Sequence, residues 1–274
     1  MLIFMLTVTL FANVFLVSSH SERSIEIANH DATVIDCARY KREANQHKCV
    51  ITPFTTEGPY FLPDDYERSD ITDGYTGVNL NLTLLLTNAK DCSPLSNYYV
   101  HIWNANALGH YSGVQEFNFF DHPTFRPKPI NNLRFLRGYQ ITNEEGLVNF
   151  NTIIPGWYFG RCLHIHVEIY DKNTTDGHAI SYIGQLYFNR EMPAALRLID
   201  PYSQNNNELT LNEQDVIYPL SRGSDTTLEL IPEGNGFRAS YVLSIDPTVK
   251  IENTYEQFLY DDAFKALNRT STEH

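Results

Sequence analysis

The sequence predicts an all-β chain: an antiparallel β-sandwich with an irregular N-terminal arm and a C-terminal tail. Two observations carry this. Seven or eight short runs rich in Val, Ile, Leu, Tyr and Phe recur along the chain, separated by Gly-, Pro- and Asn-rich turns. Strands at such spacing with few helices are the pattern of two stacked sheets. Most of these runs also present one apolar face each, as a strand does when a second layer covers only one of its sides.

Residues 1–18 carry no charged side chain and are mostly Leu, Phe, Val, Ile and Met, with Ser18 and Ser19 following Val17. This reads as a secretory signal over 1–19, leaving a soluble, exported protein. The segment has no Lys or Arg at its start, so a retained anchor is the alternative reading. Residues 20–78 form an arm and an ordered loop, because Gly58-Pro59 and Pro63 forbid regular structure there. An aromatic loop of that kind packs as a lid or lines a pocket.

The sandwich is expected over 79–246. Strands are predicted at 78–87, 98–104, 134–141, 146–153, 164–170 and 179–188, with a last hairpin of 226–231 and 236–245. Residues 105–113 are a turn and 117–134 a long loop, and long loops in compact domains tend to be functional. A short helix is expected over 191–198, then a polar Asn-rich loop over 202–212. The tail, 247–274, has helical character over 255–267.

Hydrophobic residues make up 42% of the chain, enough for a substantial core, and the net charge is −13. That balance argues against nucleic acid and anionic membrane surfaces as partners. It leaves small molecules open, because one Arg can invert the field of a pocket. Cys37, Cys49, Cys92 and Cys162 show no Cys-x-x-Cys spacing. In an exported chain they suggest disulfides, with all three pairings open and Cys162 alternatively a free thiol. Asn81, Asn173 and Asn268 head glycosylation sequons.

The densest chemistry lies in Pro155-Gly-Trp-Tyr-Phe-Gly-Arg-Cys-Leu-His-Ile-His166. On a strand, His164 and His166 share one face with Glu168 and Tyr170, while Leu163, Ile165, Val167 and Ile169 take the other. Two imidazoles about 7 Å apart on one strand face can meet at a single metal ion. Tyr111 and Tyr158 add two phenols, whose hard phenolate oxygens favour ferric iron. The residues alone leave two other readings open. One is a copper or zinc protein that completes His164 and His166 with His101, His110 or His178. The other is a metal-free sandwich that binds aromatic ligands in a cup.

The sequence resembles the intradiol ring-cleavage dioxygenases, especially secreted fungal and arthropod members. The resemblance is carried in order by Thr56-Glu-Gly-Pro-Tyr60, Ile102-Trp-Asn-Ala-Asn-Ala-Leu-Gly-His-Tyr-Ser-Gly113, Arg137-Gly-Tyr-Gln140, Pro155-Gly-Trp-Tyr158 with Gly160-Arg161 and His164-Ile-His166, and Gln185-Leu-Tyr-Phe188. It implies Fe(III) held by Tyr111, Tyr158, His164 and His166, with Tyr158 the ligand that leaves when substrate binds. It further implies Arg161 and Gln185 as polar groups beside the iron, and Pro59 and Tyr60 on a loop overhanging the substrate. The implied reaction opens a catechol or polyphenol ring with O₂ between its two hydroxylated carbons, giving a muconate-type diacid. Three departures stand out. No helical dimerisation segment is evident, so a monomer is expected. The link from Tyr158 to His164 is compact, and Cys162 lies inside it.

Overall fold

The computed structural model describes residues 50–62, 66–115, 129–172 and 180–249. All lie within Lys41–His274, one of two compact units of the chain. The leader, three of the expected features of the arm (Cys37, Cys49 and Pro63), most of the 117–134 loop, Asn173, His178 and the tail beyond residue 249 fall outside the described residues.

Among the described residues, eight strands form two four-stranded sheets. In chain order they are β1 Asn79–Asn88, β2 Tyr98–Trp103, β3 Arg137–Ile141, β4 Leu147–Ile153, β5 His164–Asp171, β6 Ile180–Tyr187, β7 Ile231–Glu233 and β8 Gly236–Ile245. One sheet runs β4-β1-β8-β7 and the other β3-β2-β5-β6. Leu80, Leu82, Leu84 and Leu86 of β1 face Ile165, Val167 and Ile169 of β5 across a shared core that includes Val100, Ile102, Phe150, Tyr182 and Leu243. The alternation read in the sequence is thus the alternation of core and non-core positions.

Four expectations need correction. The sandwich is mixed rather than wholly antiparallel, because β1 and β8 pair in parallel from Leu80–Phe237 to Asn88–Ile245. The strand expected at 134–141 starts only at Arg137: Leu136 adopts φ +55 and its N–H donates to the Ile71 carbonyl. The strand expected at 226–231 is not one. Thr226 closes a 3₁₀ turn, Gly223–Thr226. The next residues dock on the end of β6, with Leu228 N–H donating to Tyr187 O and the Leu228 side chain in the core. Only Ile231–Glu233 then pairs with β8.

The fourth correction concerns faces. Strand β6 and most of β5 are buried on both sides. The cover over their second face comes from outside the sheets. The arm crosses β6, where Thr55 N–H donates to Ile183 O and Tyr182 Oη to Pro53 O. Beyond β6, α1 Met192–Leu196 and the 3₁₀ turn Tyr202–Gln204 instead send Leu196 and Tyr202 into the core between the sheets. On the second face, Tyr218 of α2 Ile217–Leu220 meets the Tyr187 ring edge-on, and a 3₁₀ turn spans Asn212–Gln214. The short helix is the one expected over 191–198; the turn at Tyr202–Gln204 lies in the stretch that reads as polar loop, and the sequence pattern predicts no element over 213–225. None of the described helices is long and apolar enough to cross a membrane.

Candidate metal centre

The covered face of β5 carries the candidate site, and strand register lines up its walls. Across the sheet β3-β2-β5-β6, Trp103 pairs with Arg137 and with His166, His166 with Gln185, and His164 with Tyr187. Side chains opposite one another on one sheet face are in contact range. The Trp103 indole lies flat on the His166 ring, centroids 4.7 Å apart and planes 7° apart.

Two turns bring the phenols over this row. Tyr111 follows the turn at 105–110, which Asn106 closes by accepting the Leu108 and His110 N–H groups on its side-chain oxygen. Tyr158 follows β4. The two turns touch through Gly109, at φ +87, where a Cβ would lie 2.2 Å from the Trp157 carbonyl oxygen. Only glycine permits both that backbone conformation and that approach. The Asn-rich loop staples the turns together: Asn205 donates to Trp157 O at 2.8 Å and Asn207 to Leu108 O at 3.1 Å. Buried Arg137 fixes the far side of Tyr111 by donating to Ser112 Oγ at 2.8 Å, its guanidinium 5.7 Å from the Tyr111 ring centroid.

Four donor atoms converge as a result. His164 Nε2 lies 3.1 Å from His166 Nε2, 3.2 Å from Tyr158 Oη and 3.4 Å from Tyr111 Oη. His164 Nδ1 donates to the Cys162 carbonyl at 2.7 Å. Its neutral ring therefore turns a lone pair toward the cluster. Burial, reinforced by Arg161, depresses His164 to about 3, and burial with neighbouring His164 depresses His166 well below the usual imidazole range. Both rings are neutral at physiological pH. Burial likewise raises both phenols, foremost among its causes. His164 Nε2 offers one lone pair to three neighbours within 3.4 Å, so it can accept a good hydrogen bond from only one of them. A cation among the four resolves this, since each then offers it a lone pair.

Arg161 and Gln185 stand beside this cluster. Arg161 Nη1 is 3.4 Å from both Tyr158 Oη and His164 Nε2, and Nη2 donates to Gln185 Oε1 at 2.5 Å. Gln185 in turn donates to Thr56 O at 3.2 Å, tying the 55–60 loop to the site. On that loop Tyr60 stacks on Tyr111, centroids 4.5 Å apart, and meets Tyr158 edge-on at 5.9 Å. Pro59 and Tyr60 are both buried. Tyr111, Tyr158, His164, His166, Arg161, Gln185 and Tyr60 thus lie in or against one cluster, with Pro59 next to Tyr60 on its loop.

Sequence reasoning missed Asp215, a fully buried carboxylate paired to Arg161 Nε at 2.9 Å. Lying 54 residues beyond Arg161 in an irregular stretch, it shows no periodic signal. Cys162 is a free, buried thiol, pushed up by burial and by Asp215. Among the described residues no group of three or more His, Cys, Asp or Glu is placed to hold a metal. His101 and His110 therefore do not complete a three-His set with His164 and His166 among the described residues, and His178 lies outside them.

The chain is 32% identical to an intradiol ring-cleavage dioxygenase from Tetranychus urticae, over 76% of this chain and all of that one, with a TM-score of 0.67. A second dioxygenase structure aligns at 32% identity over the same shares, with a TM-score of 0.66. Catechol 1,2-dioxygenase 2 of Acinetobacter lwoffii is 32% identical over 114 residues, 39% of this chain. The aligned part spans about a third of that relative, 35% of its length. No family model matches the chain.

Proposed function

The chain belongs to the intradiol ring-cleavage dioxygenases, and from that premise we propose that it is an exported ferric enzyme that opens catechol-type rings with O₂ between the two hydroxylated carbons. The observation that carries the proposal is the convergence of Tyr111 Oη, Tyr158 Oη and His166 Nε2 on His164 Nε2, at 3.1–3.4 Å. Two neutral imidazoles and two phenols fit Fe(III), because hard phenolate oxygens prefer that ion to zinc or cuprous copper. When bound, the iron would stabilise both phenolates, chelate both catechol oxygens and make the ring reactive toward O₂.

The protein's own groups have distinct parts in this reading. Tyr158 is the less buried of the two phenols. It is suited to leave the metal when substrate arrives and to take a substrate proton on Oη. His164 is held at Nδ1 by the Cys162 carbonyl, which keeps its Nε2 directed inward. Arg161 presents Nη1 where negative charge grows as O₂ adds to the substrate, a preorganised role worth about 3 kcal/mol. Gln185 holds the opposite guanidinium edge. Tyr60, Phe61, Leu62 and Trp103 are buried around the phenols and keep the chamber dry.

Export rests on the apolar leader and on Cys92, which is in a disulfide. Purified protein should hold about one iron, with a visible phenolate-to-iron band. Catechol and labelled O₂ should give cis,cis-muconate carrying both oxygen atoms. Arg161→Ala should keep the band and lose roughly 10²-fold in kcat. Colourless zinc-loaded protein from iron-sufficient cells, or a yellow semialdehyde product, would overturn the proposal.

A further inference from the structure

Arg161 is held from behind by a buried ion pair with Asp215. Asp215, which is fully buried, sits in the turn before α2. Its Oδ2 accepts Arg161 Nε at 2.9 Å and the Cys162 N–H at 3.0 Å. Its Oδ1 accepts Arg161 Nε at 3.1 Å and the Ile217 N–H at 2.8 Å. Both carboxylate oxygens are thus anchored by main-chain donors, and the carboxylate can shift only with two chain segments.

The guanidinium that it holds is divided in a definite way. Nε is taken by Asp215, and Nη2 by Gln185 Oε1, which also accepts Tyr187 Oη at 2.9 Å. That leaves Nη1 as the end that faces Tyr158 Oη and His164 Nε2, 3.4 Å from each. A planar group pinned at two of its three nitrogens has its third nitrogen's direction decided.

We propose that Asp215 is a positioning residue for the reaction: it acts through Arg161, fixing which nitrogen points into the metal cluster, and touches neither substrate nor metal. This rests on the ferric dioxygenase reading for its effect on turnover, but not for its effect on Arg161 geometry. Neutralising the carboxylate with Asp215→Asn puts an amide N–H against donors and frees the guanidinium to turn. An Arg that samples several directions stabilises developing charge only part of the time.

The test combines a structure with a double-mutant cycle. A crystal structure of metal-free Asp215→Asn should show Arg161 Nη1 turned away from Tyr158 and His164. In the iron-loaded protein, Asp215→Asn should keep iron content and the visible band while kcat falls about tenfold or more. Arg161→Ala and the Arg161→Ala/Asp215→Asn double variant should turn over within about threefold of each other, because Asp215 has nothing left to position. If Asp215→Asn does not accumulate folded, Asp215→Glu keeps the charge one methylene further out and should retain iron with intermediate turnover. An unmoved guanidinium, wild-type turnover, or an equal further loss on the Arg161→Ala background would overturn the proposal. A wild-type protein that holds no iron and consumes no O₂ would instead sink the dioxygenase reading and leave the structural result standing.

Discussion

Asp215 shows how two opposing effects are decided at a single residue. Burial alone would push its carboxyl up, but Arg161, His164 and the Cys162 N–H outweigh burial and hold it below the usual carboxylate range. A carboxyl with a depressed folded-state pKa contributes stability that is complete above its unfolded value. That contribution is lost as pH falls through the lower folded value. The window therefore opens below about pH 4. Urea unfolding of the metal-free protein should show stability dropping there more steeply for wild type than for Asp215→Asn. At neutral pH the variant should be the less stable of the two, because it removes the partner of a buried Arg. Equal slopes for the two proteins below pH 4 would show that Asp215 carries no such contribution.

Among the elements, the 50–62 arm does most to turn a strand face into a site. It lies over β6 and seats Tyr60 against Tyr111. Gly58 sets how close it comes. At φ +75, a Cβ here would stand 3.0 Å from His166 Cε1. An L-residue in that backbone region costs about 1–2 kcal/mol, before any contact with the imidazole is counted. Gly58→Ala should therefore lower stability by about that amount and reduce iron occupancy as the His166 ring is displaced. Thermal unfolding and metal analysis measure the two effects separately. Stability and iron content both at wild-type levels would mean that the loop yields without disturbing His166.

At the scale of the molecule, the closing pair is β1 with β8. Their parallel ladder joins the first and last strands of the sandwich in one sheet. The other sheet is thereby left to carry the row Arg137, Trp103, His166, Gln185. Asn81 is exposed on β1, and Thr83 of its sequon is only partly covered. Expression with the native leader in eukaryotic cells should deliver monomer to the medium, with a mass that falls on deglycosylation and a loss of that shift in Asn81→Gln if this sequon is used alone. A light-scattering mass of two chains, or retention with the cells, would refute the assembly or the export half.

The sequence alone determined the location of seven of the eight described strands, the alternation along β1 and β5, and the two imidazoles on one side of a strand. These follow from period-two patterning, which is local and survives in one dimension. It also carried the short motifs that name Tyr111, Tyr158, Arg161 and Gln185, because each sits in a tight run of Gly, Pro and aromatic residues. Only the tertiary structure decided that β1 and β8 are parallel neighbours, since alternation says which face is buried and nothing about which strand lies alongside. The residues at 226–230 show the same limit. Their alternating leucines are equally suited to a strand or to an irregular segment packed on β6, and docking chose the second. Asp215, Asn205 and Asn207 were invisible for a related reason. Each acts through contacts made across at least 48 residues of chain, and a single polar side chain in a loop has no period to betray its partners.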